Sequence, residues 1–274
     1  MSVWKDHSRR LDMKPSIRPA CGAGSFYPAT FSELQKLVLQ KLDLNDPCDI
    51  QNFHCFALAV PHAGYRYSST TAGYAFRWLA AQPPETIGLW GPSHYFAFSG
   101  LAANPYTAWA LPGEDFSCFT FRELSQGFVS ESESRQIHLP EHSLEVELPF
   151  LREVAPKASV EAVLFGKIDP EIVLKDFQRD NQSLIIVSTD LSHYYTLEEA
   201  QRLDSRLLDD VQAGRVGRVL AGEACGRVPL AALVLLAQQN HWECRVLHYE
   251  TSAVASGDTS SVVGYAALAW GKAC

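Results

Sequence analysis

Short uninterrupted apolar runs alternate along this chain with stretches in which apolar residues return every third or fourth position. The runs predict buried strands and the spaced stretches predict helices laid against them. Cys55 to Val60, Thr86 to Trp90, Ser159 to Phe165 and Ser183 to Val187 read as strands. Phe31, Leu34, Leu37, Val38 and Leu42 line one face of a helix running to about Leu44, opened by a Thr30-Phe31-Ser32-Glu33 capping box. A second helix is expected from about Ser69 to Ala81, and Leu144, Leu148, Leu151 and Ala155 fall on one helical stripe.

Further helices are expected at Pro170 to Arg179 and at Thr196 to Ala213. In the latter, Thr196 and Glu199 form another capping box and Gly214 is a natural stop. Pro229 sits in the first turn of an apolar helix through Gln239, and strands at Glu243 to Glu250 and Ser261 to Trp270 close the chain. Residues 95 to 140, rich in Gly, Pro and Ser, predict short strands and a long excursion over the sheet. With no internal repeat, low-complexity tract or linker, the pattern predicts an α/β protein with one domain, a three-layer sandwich around a mixed central sheet.

Composition narrows the function classes. Apolar residues make up 47% and charged residues 20% of 274, the balance of an ordinary folded protein. A formal charge of −8, spread along the chain, argues against a nucleic-acid or acidic-membrane partner. The first residues lack a continuous apolar signal region and no apolar run approaches the roughly 18 residues of a membrane span, so a cytoplasmic location is expected. Seven cysteines at wide spacing spell neither a disulfide framework nor a CxxC zinc site.

Candidate chemistry gathers where strands end. One strand runs into His62, the next into His94, and the SLIIV strand into Ser188, Thr189, Asp190, Ser192 and His193; Glu141-His142 stands at the start of the Leu144 stripe. In open α/β sheets ligands bind beyond the carboxyl ends of strands, where loops aim side chains at one point. Imidazoles and a carboxylate converging there are the usual ligands of Fe(II), Zn(II) or Mn(II). Each residue also has a plainer reading. His62 and His94 serve equally as hydrogen-bonded structural groups, Glu141-His142 as a helix start and Asp190 as a turn cap. Alternatively Asp190 and His193 form an acid/base pair. Cys225 reads either as a redox thiol beside Arg227 or as a buried cysteine in a tight loop. No GxSxG elbow supports a serine nucleophile.

Taken together, RPACGAGSFYP (18–28), PHAGYRYSSTTAGYAF (61–76), GPSH (91–94), EHSLEVELPFL (141–151), STDLSHY (188–194), CGRVP (225–229) and GDTSSVVGYAALAW (257–270) resemble the Memo family. That family is named for the mediator of ErbB2-driven cell motility, and its bacterial and archaeal members are called AmmeMemoRadiSam system protein B. The likeness divides the chain into an N-terminal extension, 1–17, and a Memo-like α/β domain, 18–274.

The resemblance implies the fold of class III extradiol dioxygenases, whose non-haem iron is held by two histidines and a carboxylate. It places His62 and His94 as metal ligands, His193 as acid/base histidine and His142 in the same pocket; Asp190 is expected either to orient partners there or to serve as a third ligand from across the pocket. In the animal branch a cysteine before the last strand replaces the glutamate, and here that position reads Ala253 or Val254. Asp258, the nearest carboxylate on that segment, is then the expected third ligand, while Cys225, within a family CGR motif, is not taken as one. The expected cofactor is Fe(II), with Zn, Cu or no metal as alternatives. The expected function is a metal-dependent redox or dioxygenase-like protein. Its alternatives are an adaptor binding a small molecule, a peptide or a radical-SAM enzyme, and a Zn-dependent hydrolase.

Overall fold

The computed structural model describes residues 16–42, 53–117, 128–176 and 183–273. The first half holds β1 (Ile17–Arg18), α1 (Phe31–Leu42), β2 (Phe53–Val60), α2 (Tyr65–Ala81) and β3 (Thr86–Pro92). The excursion carries β4 (Leu101–Ala103), β5 (Ala108–Trp109), β6 (Phe116–Ser117) and α3 (Glu131–His138). A 3-10 turn, Glu145–Glu147, leads into α4 (Leu148–Val154). Then come β7 (Ser159–Phe165), α5 (Pro170–Asp176), β8 (Ser183–Ser188), β9 (His193–Tyr195) and α6 (Leu197–Gln212). The chain finishes with α7 (Val216–Leu220), α8 (Arg227–Asn240), β10 (Glu243–Thr251), α9 (Ala253–Ser256) and β11 (Val262–Ala273).

The main sheet has the order β10-β11-β2-β8-β3-β7-β4, with β9 attached to β11. Its centre, β2, β8, β3 and β7, is parallel, whereas β4, β11 and β10 pair antiparallel, so the sheet is mixed as expected. β1, β5 and β6 form a separate small sheet.

Side-chain alternation explains why the central strands are apolar throughout. Leu58 and Val60 of β2, Leu184 and Ile186 of β8, and Ile87 and Leu89 of β3 enter one core with Leu34 and Val38 of α1 and Phe76 of α2. Their neighbours Ala57, Ala59, Ile185, Val187 and Trp90 enter a second core with Leu207 and Val211 of α6 and Leu230 and Leu233 of α8. Helices therefore cover both faces, as parallel strands require. Among the described residues no helix is long and apolar enough to cross a membrane.

Two predicted helices differ instructively. α2 begins at Tyr65 rather than near Ser69, with Gly64 as its N-cap, so it starts directly after PHAG. The stripe from Leu144 to Ala155 is not one helix: Pro149 has no N–H to return to the carbonyl of residue 145, and the chain enters α4 through the 3-10 turn. The predicted ends at 43–44 and 177–179 lie outside the described residues, as do residues 1–15, Cys48, Cys118 and Cys274.

Candidate metal centre

The carboxyl ends of three adjacent parallel strands, β2, β8 and β3, deliver the candidate residues to one edge of the sheet. β2 ends at Val60 and β3 at Pro92, each two residues short of its histidine. The rings of His62 and His94 meet edge to face with centroids 5.0 Å apart. His62 is buried, and its Nε2 lies 3.2 Å from the thiol of Cys225. The ligand atoms of His62, His94 and Cys225 lie within 4.8 Å of one another.

Cys225 arrives from the opposite direction, in the loop before α8. Its N–H donates to Asp190 O (3.2 Å), and its Sγ accepts from the N–H of Asp190 (3.2 Å). The next amide, Gly226, donates to Thr189 Oγ1 at 2.9 Å. A β-carbon at 226 would stand 2.6 Å from Cβ of Thr189, so the glycine in CGR is what lets the thiol loop close on the end of β8.

Each histidine is oriented from behind. Glu141 accepts both the backbone N–H of His94 (2.6 Å) and its Nδ1–H (2.9 Å), leaving Nε2 as the ring nitrogen free to ligate. Burial alone would raise the Glu141 carboxyl, but the hydrogen bonds and charge of His94 bring it down to about 2, and the same pairing raises His94 against its own burial. The second cluster with metal-ligand chemistry, His94, Glu141 and His142, shares His94 with the first. With Nδ1 committed to Glu141, we read that cluster as the outer support of the first. His62 Nδ1 lies 2.8 Å from Ser188 Oγ, and burial, with His94 adding to it, lowers the imidazole to about 3, so it is neutral and can ligate.

His142 is stacked between Phe26, at 4.1 Å, and His94, at 4.8 Å. Phe26 is held by the RPACGAGSFYP loop, which Glu145 binds as a hub: it pairs with buried Arg18 and accepts from the amides of Cys21 and Gly22 and the Tyr27 hydroxyl. Asp190 accepts from the amides of His62 (2.8 Å) and Ala63 (3.3 Å). It is thus a backbone cap, yet burial also raises its carboxyl, against the charge of His193. His193 opens β9, half-buried and near enough to bear on both Asp190 and His62.

The structure thus gathers His62, His94, His142, Asp190 and His193 and leaves Asp258 out. Asp258 is exposed beyond α9, where its carboxylate accepts from the Ser260 amide (2.8 Å) and hydroxyl (2.7 Å), and it belongs to neither ligand cluster. Ala253 and Val254 lie within α9 and offer no donor. The third group that clusters with His62 and His94 is Cys225. A cysteine preceding a glycine at the predicted start of an apolar helix is the signal that could have marked it. Ser188 stands in the polar cluster after the SLIIV strand and Glu147 within EHSLEVELPFL, but neither carries a signal of its bonding role, and Asp204 has no local signal at all.

The chain matches the family model described as Memo-like protein over residues 18–269. It is 31% identical to the MEMO1 family protein MK0963 of Methanopyrus kandleri, over 90% of this chain and 96% of that relative. MEMO1 family proteins of Methanobrevibacter smithii and Sulfurisphaera tokodaii are each 29% identical, over 91% and 93% of this chain and 98% and 99% of theirs.

Proposed function

The chain belongs to the Memo-like protein family, and from that premise we propose that it is a metal-dependent redox protein whose metal is held by His62, His94 and Cys225. The observation that carries the proposal is the convergence of two imidazoles and a thiol within 4.8 Å at the carboxyl ends of parallel strands. An ion bonded at about 2.0–2.3 Å to each donor holds tetrahedral donors roughly 3.3–3.8 Å apart, so the widest separation in this cluster closes by about an ångström on binding.

The electrostatics fit as well. Burial, and then Asp190, pushes the Cys225 thiol up to about 12 in the absence of any cation, so the thiol keeps its proton until a metal replaces it. Two imidazoles and a thiolate suit iron, zinc or copper. We assign Fe(II), because the mixed sheet with helices on both faces and a site at its carboxyl edge supports the likeness to class III extradiol dioxygenases. The thiol stands in for their carboxylate.

A redox-active metal bound there supplies electron exchange or polarisation of a substrate oxygen. His193, beside Asp190, is placed to take up and return a proton at its imidazole. Glu141 holds the tautomer of His94, and Phe26 stacks on His142 beside it.

Anaerobic Fe(II) loading followed by metal analysis tests the assignment. Wild type and Asp258→Asn should retain near-stoichiometric iron, while His62→Ala, His94→Ala and Cys225→Ala should each lose most of it. Retention by Cys225→Ala, or loss in Asp258→Asn, would overturn the ligand set. Oxygen uptake by the iron-loaded protein with catechol-like compounds tests the redox chemistry, and His193→Gln should slow it while keeping the metal.

A second reading, a site for a peptide or partner such as a radical-SAM enzyme, is favoured by the aromatic side chains around these residues. Tyr95, 56% exposed, packs against His142 at 6.1 Å, and Tyr194, 77% exposed, packs against His193 with left-handed backbone (φ 65°). Tyrosine is among the side chains enriched where partners bind most strongly. Pull-down with wild type but not with a Tyr95→Ser/Tyr194→Ser variant is the expected result on this reading; equal recovery by both counts against it.

A further inference from the structure

Behind His62 lies a buried carboxyl group that makes no ion pair among the described residues. Glu147, in the 3-10 turn before α4, is 1% exposed, and its Oε1 lies 2.8 Å from Ser188 Oγ. The same hydroxyl is 2.8 Å from His62 Nδ1 and 2.6 Å from the carbonyl oxygen of Ser143. Three partners thus surround one hydroxyl that has a single hydrogen to give and two lone pairs to receive.

We propose that Glu147 is a neutral carboxylic acid that donates to Ser188 Oγ, and that this arrangement fixes the Nδ1–H tautomer of His62 so that Nε2 is the atom presented to Cys225 and His94. The inference rests on the metal reading for its consequence, though not for its geometry.

The Ser143 carbonyl has only lone pairs to offer, so its 2.6 Å contact needs the Ser188 hydrogen. With that hydrogen spent, Ser188 Oγ can only accept from its two other neighbours, which must both be donors. Glu147 then carries the proton on Oε1 and His62 carries its proton on Nδ1. If Ser188 gave its hydrogen to a Glu147 carboxylate instead, two oxygens with no hydrogen between them would be left 2.6 Å apart. If it gave it to His62, the same clash would remain and Nε2 would hold the proton, facing the thiol.

The surroundings agree with a neutral acid. Glu147 Oε2 has no hydrogen-bond partner among the described residues, a situation tolerable for the carbonyl oxygen of an acid and costly for half of a carboxylate. Burial, with the charge of Asp190 adding to it, holds the Glu147 carboxyl well above the usual carboxylate range, against the Ser188 hydrogen bond. Glu147 is therefore a positioning residue: it acts on the metal through Ser188 and His62. It also differs from Glu141, which orients His94 as an ionised acceptor.

Glu147→Gln and Glu147→Leu test this. The amide of glutamine can donate to Ser188 as the acid does, whereas leucine cannot. Infrared spectroscopy of the apo protein at pH 7 should show a carboxylic-acid carbonyl band that vanishes in Glu147→Gln. Nitrogen-resolved NMR should show His62 protonated at Nδ1 in wild type and in Glu147→Gln, and a mixture of tautomers in Glu147→Leu. Fe(II) affinity should be nearly unchanged in Glu147→Gln and about ten- to a hundredfold weaker in Glu147→Leu, the usual effect of losing a group that orients a ligand. An ionised Glu147 in wild type, an Nε2–H tautomer of His62, or an equal loss of affinity in both variants would overturn the inference. If wild type binds no metal, the metal reading fails alone, because the infrared and tautomer readouts need none.

Discussion

His138 shows how a residue that sequence reading passes over shapes stability. It ends α3, is fully buried, and its Nε2–H donates to Ala102 O at 2.9 Å. Burial, with the charge of Arg18 adding to it, lowers it from its ordinary 6.5 to about 4. A group whose folded pKa lies below its unfolded one contributes stability that is present above pH 6.5 and lost as pH falls toward 4. The loss approaches about 1.4 kcal/mol per pH unit at its steepest. Glutamine at 138 can keep the bond to Ala102 without titrating. Denaturant midpoints measured from pH 7 to 4 should therefore converge, wild type losing stability relative to His138→Gln; parallel curves would exclude this account. Cys225 was visible in the sequence as a thiol in a CGR motif, but its partners were not. A lone cysteine has no spacing signature, and only the closing of its loop onto β8 brings its sulfur to His62.

At the scale of elements, the junction of α6, β9 and β11 decides where His193 stands. Asp204 of α6 accepts the Ser192 amide at 2.9 Å and the Tyr249 hydroxyl at 2.9 Å. The Leu191 amide donates to Gly264 O, and the Gly264 amide donates to Ser192 O. A β-carbon at 264 would collide with the Asp204 carboxylate, so Gly264 is required by close approach. Gly264→Ala should cost about 1–3 kcal/mol through overpacking and should speed hydrogen exchange at the Ser192 amide. Unchanged exchange there would mean that Asp204 does not hold the loop. The α6 start was legible beforehand, since Thr196 Oγ1 accepts the Glu199 amide and the helix begins at Leu197, as the capping box foretold. β9 was not, because three residues are too few to show a period.

Across the whole molecule, a metal at this site would join residues 62, 94 and 225, from two strand ends and a helix entry. An ion that binds the folded state and not the unfolded one stabilises it by about 2.7 kcal/mol at a hundredfold excess over its Kd. Fe(II) added anaerobically should raise the Tm of wild type and leave Cys225→Ala unmoved. The gain should also fall on acidification, because the ion must displace the thiol proton; with one proton released per ion, apparent affinity climbs by up to about tenfold per pH unit. A pH-independent affinity would show that Cys225 stays protonated and is not a ligand.

The sequence by itself determined the family, the places along the chain of the central strands and their helices, and the two histidines at successive strand ends, because those features are written in local periodicity and motif. It did not determine that Cys225 rather than Asp258 lies beside the two histidines, nor that Ser188, Glu147 and Asp204 are bonded around them. These choices depend on contacts between residues as much as 163 positions apart, as His62 and Cys225 are. Only the parallel pairing of β2, β8 and β3 brings such contacts together, and a side chain's partner across that edge leaves no trace in the residues beside it.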